Sequence, residues 1–383
     1  MDLNFTPQDE AFRSEVRAFL ATALTPAMRD LAARTSGVFA EPPEVLEWQR
    51  RLDDRGWLVP HWPTEAGGLG WTQLQRFILD QELARAGAPV LPGMGIKLMG
   101  PVLYTFGTAD QKARWLPPLR RGTEFWAQGF SEPGSGSDLA SLRTRAVRDE
   151  AGDYIVTGQK IWTTFAQHAT HMFALVRTDT TVKPQRGISF LLIDMAAPGV
   201  TVRPILSASG DHEVNEVFLD AVRIPATNLV GAEGQGWAIA KFLLENERGG
   251  STYGPALVAD AARLRVTLDG LACADDPLLR DRLTRIEIQA QALETTELRI
   301  VAAMTAGEDP GPISLATKLV ASEIRQEIEQ FGSEILGMAG LALPETGPER
   351  IAAARYLNSR AWSVFGGTSE IQLGIIARAA LGL

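Results

Sequence analysis

Phe130-Ser-Glu-Pro-Gly-Ser-Gly-Ser-Asp138 reads as a Gly/Ser loop between a strand and the next element. It lies just past Glu124, where the texture of the chain changes. Beyond that point come short apolar runs: Tyr154 to Val156, His171 to Val176, Ile188 to Ile193, Val200 to Val202 and Val217 to Leu219. Gly152-Asp153, Pro184 to Gly187 and Pro198-Gly199 separate them, which is the punctuation of a compact β domain. Within the loop, glycines let the main chain approach a ligand, and Ser131, Ser135 and Ser137 offer hydroxyls. The spacing is not that of a P-loop, because no Gly-Lys-Ser/Thr follows. Composition alone also fits an ordinary connecting loop.

On either side the pattern is helical. Thr6-Pro7-Gln8-Asp9 is an N-cap with proline at the first helical position and an acid three residues on. Phe12, Val16, Phe19 and Leu20 follow at helical spacing. Further helices are expected over Val45 to Arg55 and Gln73 to Ala86, closed by Gly56 and Gly87. After Pro225 helices are expected over 235–248, 277–306, 314–336, 348–364 and 369–380. The longest carries an apolar seam at Leu279, Leu283, Ile286, Ala290, Leu293, Ile300 and Met304, with Glu297 in its one gap. That heptad-like seam packs helix on helix. The expected fold is therefore α+β and multidomain. It has an N-terminal α-helical domain (1–122), a middle antiparallel β domain (123–226) and a C-terminal helical bundle (227–383).

Composition narrows the function. The chain of 383 residues holds 37 basic and 46 acidic side chains, for a net charge of −9. Nucleic-acid and anionic-membrane binders present a basic face, so neither partner is expected. A single cysteine, Cys273, excludes intrachain disulfides and thiolate metal sites. His168 and His171 stand three apart without a nearby third ligand, so no metal is expected. No apolar run approaches the ~18 residues of a membrane span. The first residues lack a signal-peptide pattern, and a cytoplasmic location is expected.

Two more segments bear chemistry. Gly158-Gln-Lys-Ile-Trp-Thr-Thr164 reads as a strand with a buried Trp162, or as an indole face covering a flat cofactor beside the hydroxyls of Thr163 and Thr164. In Phe365-Gly-Gly-Thr-Ser-Glu-Ile371, Thr368 or Ser369 can cap the last helix and aim its N-terminus at a phosphate or carbonyl. Each segment alone is weak. In this order and with these separations, the three closely resemble the acyl-CoA dehydrogenase family over essentially the whole chain. Gly158 to His168 and Ala240 to Arg248 are most similar to large subunits of two-gene members, of the pimeloyl-CoA or steroid-side-chain type.

The resemblance implies a four-helix C-terminal bundle, an FAD cofactor and a reaction that places a trans double bond between C2 and C3 of an acyl-CoA, in lipid or steroid degradation. It assigns Gln128, Phe130, Ser131, Trp162 and Thr164 to the flavin, and Thr368, Ser369 and Glu370 to the FAD ribityl and phosphate region. Ser137 and Arg248 are assigned to the substrate, Ser137 to the phosphopantetheine of CoA. Electrons would leave through an electron-transfer flavoprotein. Many members place the catalytic carboxylate just before the Gly-Thr of the C-terminal motif. Here that position is Gly366, which carries no side chain. Other members place it on the first bundle helix before an arginine, and Glu247-Arg248 fits, with Glu247 as the base. Glu245 is about 200° round the helix. Without the resemblance, Glu247 reads as a surface carboxylate.

The chain departs from the family in one respect. Members carry an Arg-x-x-Phe-Gly segment whose arginine reaches a neighbour's FAD pyrophosphate. Here Leu103, Ile328 and Trp362 precede the three Phe-Gly pairs, and Glu334 leads the Ile-Leu-Gly that usually follows a glutamine. An acid beside a pyrophosphate is repulsive. Two readings stay open: a tetramer of the α2β2 kind, in which a second family member supplies the arginine, or a homo-oligomer that uses Arg282 or Arg285. Rival functions are a non-catalytic assembly subunit and a flavin oxidase or monooxygenase of the same fold.

Overall fold

A computed structural model describes residues 5–248, 252–344 and 348–383, without the side chains of 245–248, 348 and 349. Among the described residues the α-helices before the strands are α1 Pro7–Ala23, α2 Pro26–Arg34, α3 Val45–Asp54, α4 Gln73–Ala86, α5 Gly100–Phe106 and α6 Ala109–Arg121. The strands are β1 Trp126–Gly129, β2 Arg145–Arg148, β3 Tyr154–Thr164, β4 His171–Arg177, β5 Ile188–Asp194, β6 Val200–Ile205, β7 Val214–Ile224 and β8 Leu229–Val230. The described α-helices after the strands are α7 Gly236–Arg248, α8 Gly254–Asp269, α9 Pro277–Thr305, α10 Ile313–Glu334, α11 Pro348–Ser359 and α12 Ser369–Ile376. No helix among the described residues is long and apolar enough to cross a membrane.

The chain forms two compact units. One comprises Met1–Ala40, Gly70–Val90 and Gly249–Leu383; the other comprises Glu41–Leu69 and Leu91–Arg248. The first 122 residues thus divide between the units, because α1, α2 and α4 join the helices after Gly249.

In the helical unit, α1 starts as its sequence requires. Asp9 N–H donates to Thr6 Oγ1 at 3.2 Å, and Thr6 N–H donates to Asp9 Oδ2 at 2.8 Å. This reciprocal capping satisfies two orphan donors. Arg13, buried, holds α1 to α4 through Gln81 at 3.0 Å and Glu82 at 2.8 Å. The seam of α9 follows the expected positions from Leu283 to Leu293. Past Glu297 it slips: Val301 and Ala303 are buried, while Met304 is exposed. A straight helix drifts about 20° per heptad, so a strict heptad cannot hold one face over this length.

The gap in that seam is not empty of function. Glu297, 3 % exposed, accepts Tyr253 N–H at 2.9 Å and Gly254 N–H at 2.8 Å. A side chain on α9 therefore caps α8, a helix that the sequence pattern did not disclose. Gly254 carries no side chain because a Cβ there would lie 2.4 Å from the Glu294 Cα. Burial pushes the Glu297 carboxyl up to about 7.

In the second unit, one sheet runs β6-β7-β3-β2-β4-β5-β8, with β1 beside β4. It is mixed rather than antiparallel throughout. β1 pairs with β4 in parallel, and β2 meets β4 in parallel at Arg145 and Arg177. The antiparallel β2–β3 hairpin intervenes, so the chain returns beside β1 in the same direction. The interiors of β4 and β5 are buried without alternation, as expected for strands covered on both faces. Helix α7 supplies part of that cover over β5. Gly236 permits the approach, since a Cβ there would meet the Ser189 carbonyl carbon at 2.6 Å.

Between pH 4.5 and about 7 the folded chain binds more of a proton at Glu297 than the unfolded chain does. Stability from this group therefore falls as pH rises through that window. The unaltered chain should lose stability relative to Glu297→Gln between those pH values, as read by denaturant unfolding. A relative gain would contradict the assignment.

Candidate cofactor and active site

The Gly/Ser loop leaves β1 and is held from beneath by a buried ion pair. Lys160, on β3, has 0 % exposure. Period-two alternation from Tyr154 and Val156 points it inward. Its Nζ donates to Glu132 Oε1 at 2.8 Å, Leu175 O at 2.7 Å and Phe130 O at 3.3 Å. Glu132 also accepts Arg143 N–H at 2.6 Å and Thr144 N–H at 2.9 Å. These donors hold the Glu132 carboxyl below its ordinary range despite burial, while desolvation brings Lys160 down to about 8. The loop then closes on itself. Glu132 and Ser135 exchange two backbone hydrogen bonds of 2.9 Å, and Ser135 Oγ donates to Asp138 O at 2.8 Å.

Two residues beyond Lys160, β3 breaks register against β7 between Lys160 and Thr163. Trp162 sits in this bulge with φ +60° and is 60 % exposed. A left-handed conformation at a bulky residue costs about 1–3 kcal/mol and persists only where surrounding structure enforces it. The bulge resets the alternation: Thr163 is fully buried and Thr164 is half-buried. Asn215 Nδ2 braces the far side through Thr163 O at 3.1 Å. Ile161 N–H donates to Ser131 O at 3.0 Å, so the loop and the bulge are directly joined.

The structure thus brings together Ser131, Trp162 and Thr164, and it turns the indole outward rather than into the core. Phe130 is different. Its ring is buried edge-on against Phe173 and Phe190, at centroid distances of 5.9 and 6.2 Å. Gln128 is half-buried in β1, opposite Phe173. Ser137 is exposed on the loop. A groove of about 340 Å³ opens beside it, lined by Pro133, Ser135, Arg143, Thr144, Gly158 and Gln159. The structure adds Glu132 and Lys160 to the site. Their signal was the lysine at an inward strand position.

In the helical unit, Gly366 and Gly367 turn the chain with φ +64° and +97°. Thr368 Oγ1 then accepts Ile371 N–H at 3.2 Å and caps α12. Ser369 is half-buried and Glu370 exposed. The side chains of Glu247 and Arg248 lie outside the described residues; their backbone ends α7. Of the arginines that could reach a neighbour, Arg282 pairs with Glu334, and Arg285 with Asp281 at 2.8 Å. His168 pairs with Glu41 at 2.9 Å, and His171 stacks on Trp126. Among the described residues no trio of His, Cys, Asp or Glu could hold a metal ion.

The chain matches three family models: acyl-CoA dehydrogenase N-terminal domain over residues 6–123, middle domain over 127–222 and C-terminal domain over 234–381. It is 38 % identical over 382 residues to acyl-CoA dehydrogenase IpdE1 of Mycobacterium tuberculosis, covering 98 % of this chain and 97 % of that protein. The solved Tcur3481-Tcur3483 steroid ACAD is similar with a TM-score of 0.85 and 29 % identity, over 100 % of this chain and 99 % of that one. The ChsE4-ChsE5 complex from Mycobacterium tuberculosis gives 0.83 and 31 %, over 100 % and 99 %.

Removing one partner of a buried pair strands the other, at about 3–5 kcal/mol. Lys160→Met should lower unfolding stability by about that amount, measured in denaturant. A loss near that of a surface substitution, within about 0.5 kcal/mol, would contradict the anchoring role.

Proposed function

Because the chain belongs to the acyl-CoA dehydrogenase family, we propose that it is an FAD-dependent enzyme that forms a trans C2–C3 double bond in an acyl-CoA from lipid or steroid breakdown. The domain division at 122 and 226 goes with this reading. The observation that carries it is the Trp162 indole, held outward by a strained bulge beside Ser131 and Thr164. A large aromatic face exposed at such conformational cost fits a flat ring system better than it fits water.

Bound FAD would supply the acceptor for the hydride that leaves the substrate β-carbon. The chain's own residues do the rest. Ser131 and Thr164 would offer hydroxyls to the flavin, and Trp162 would offer it an indole face. Gln128 and Phe130 line the same strand end, with the Phe130 ring packed into the aromatic cluster and its carbonyl accepting from Lys160. Thr368, Ser369 and Glu370 address the ribityl and phosphate region. Ser137 addresses the phosphopantetheine of CoA, and Arg248 the substrate.

Glu247 removes the α-proton. A bound acyl-CoA expels water, which raises the pKa of the carboxylate and makes it a stronger base. Hydrogen bonds to the thioester carbonyl lower the α-proton pKa toward it. Gly366 carries no side chain and has φ +64°, a backbone conformation in which a glutamate at this alternative base position would be strained.

We propose an α2β2 assembly, in which a second family member supplies the pyrophosphate arginine and an electron-transfer flavoprotein accepts the electrons. Arg282 and Arg285 are each engaged by an acid of this chain, which supports a foreign source for that charge. So does the likeness to two proteins named for paired components.

Glu247→Gln should retain bound FAD and lose turnover by about 10²–10⁴-fold, the range for a lost general base. Substantial turnover in that variant would transfer the base to another residue.

A further inference from the structure

One face of α10 grips the segment that leads into the Gly-Gly turn. Lys318, Ser322 and Gln326 stand four residues apart, on one stripe of the helix. Lys318 is 7 % exposed and Ser322 is 1 % exposed. Lys318 Nζ donates to Trp362 O and to Gly367 O, both at 2.8 Å. Ser322 Oγ lies 3.1 Å from Trp362 O and 2.8 Å from Lys318 O, sharing its proton between them. Gln326 Nε2 donates to Ser359 O at 3.2 Å, and Arg360 Nη2 returns a bond to Gln326 O at 3.0 Å. From the far side of the turn, Gln372 Nε2 donates to Gly366 O at 3.2 Å.

The carbonyls of 359, 362, 366 and 367 are thus all engaged by side chains. An ammonium is a poor choice for packing alone. It must be desolvated, and its neighbours on the buried face of this helix are uncharged, among them Ala321, Ile324 and Ile328. What the cation adds is two short bonds that bracket the Gly366-Gly367 turn. Those glycines lack any side chain to limit their conformations, so the turn needs restraint from outside.

We propose that Lys318, with Ser322, is a positioning residue that fixes the Gly366–Thr368 turn and thereby the residues that meet FAD. The inference rests on the dehydrogenase reading for the identity of the ligand. Lys318 acts through the carbonyls of the turn and does not itself touch the cofactor.

The test compares the full chain, co-produced with a second family member where FAD loading needs one, with Lys318→Met, Lys318→Arg, Ser322→Ala and the core control Ile328→Val. Amide hydrogen exchange over residues 366–372 should quicken in Lys318→Met and Ser322→Ala and stay unchanged in Ile328→Val. The FAD dissociation constant should rise about tenfold in Lys318→Met, equivalent to about 1.4 kcal/mol, and Lys318→Arg should recover most of it. If Lys318→Met does not fold, Ser322→Ala carries both readouts. Unchanged exchange in the variants overturns the proposal, as does faster exchange with FAD affinity intact. An unaltered chain that takes up no FAD in either setting sinks the dehydrogenase reading instead, and the exchange data still decide the positioning.

Discussion

The buried pair of Lys160 and Glu132 is the constraint on which the candidate site depends. It ties the loop after β1 to the middle of β3 and to the carbonyl of Leu175 on β4. Desolvating both ions is expensive, and the attraction between them offsets this only when the remaining valences are satisfied. Here they are: the carboxylate takes two backbone N–H groups besides the ammonium, and the ammonium takes two carbonyls. Desolvation outweighs the attraction on the lysine side, while on the glutamate side the charge and hydrogen bond of Lys160, joined by the Thr144 and Arg143 donors, outweigh it. What the pair supplies is geometry more than stability. It sets Ser131 against Ile161, next to the bulge that turns Trp162 outward.

A second buried lysine plays a comparable part in the other unit. Lys318 lies under the Gly-Gly turn as Lys160 lies under the Gly/Ser loop. Both hold backbone carbonyls of a glycine-containing segment whose own sequence cannot fix it. The Gly/Ser loop and the Gly-Gly turn are therefore each held by a cation outside the segment itself.

Much of this was legible in the sequence, because hydrophobic period reports burial directly. The apolar runs each fall inside one of β3 to β7 but mark only parts of β3, β6 and β7, while the expected helices coincide with α1, α3, α4, α7 and α9 to α12 apart from a few terminal residues. The Thr6-Asp9 cap was legible too. Helix α8 escaped because its N-terminal cap comes from Glu297 on another helix, and no local pattern encodes that. The parallel placement of β1 escaped because four residues carry no signal of direction. Trp162 was left open between core and surface, since the bulge that decides it depends on pairing with β7. Lys160 and Lys318 fall at inward positions of a strand and a helix, a legible signal, yet a lone lysine there is ambiguous until its acceptors are seen. The family resemblance supplied Glu247 as the base, and periodicity alone would have left it a surface acid.

The most direct test of the central claim is the visible absorption spectrum of the chain, produced alone and co-produced with a second family member, before and after anaerobic addition of acyl-CoAs. The account predicts flavin bands in the co-produced protein that bleach with one class of acyl-CoA, and little flavin in the chain alone. A protein that binds no flavin in either form, or a bound flavin that no acyl-CoA bleaches, would contradict it.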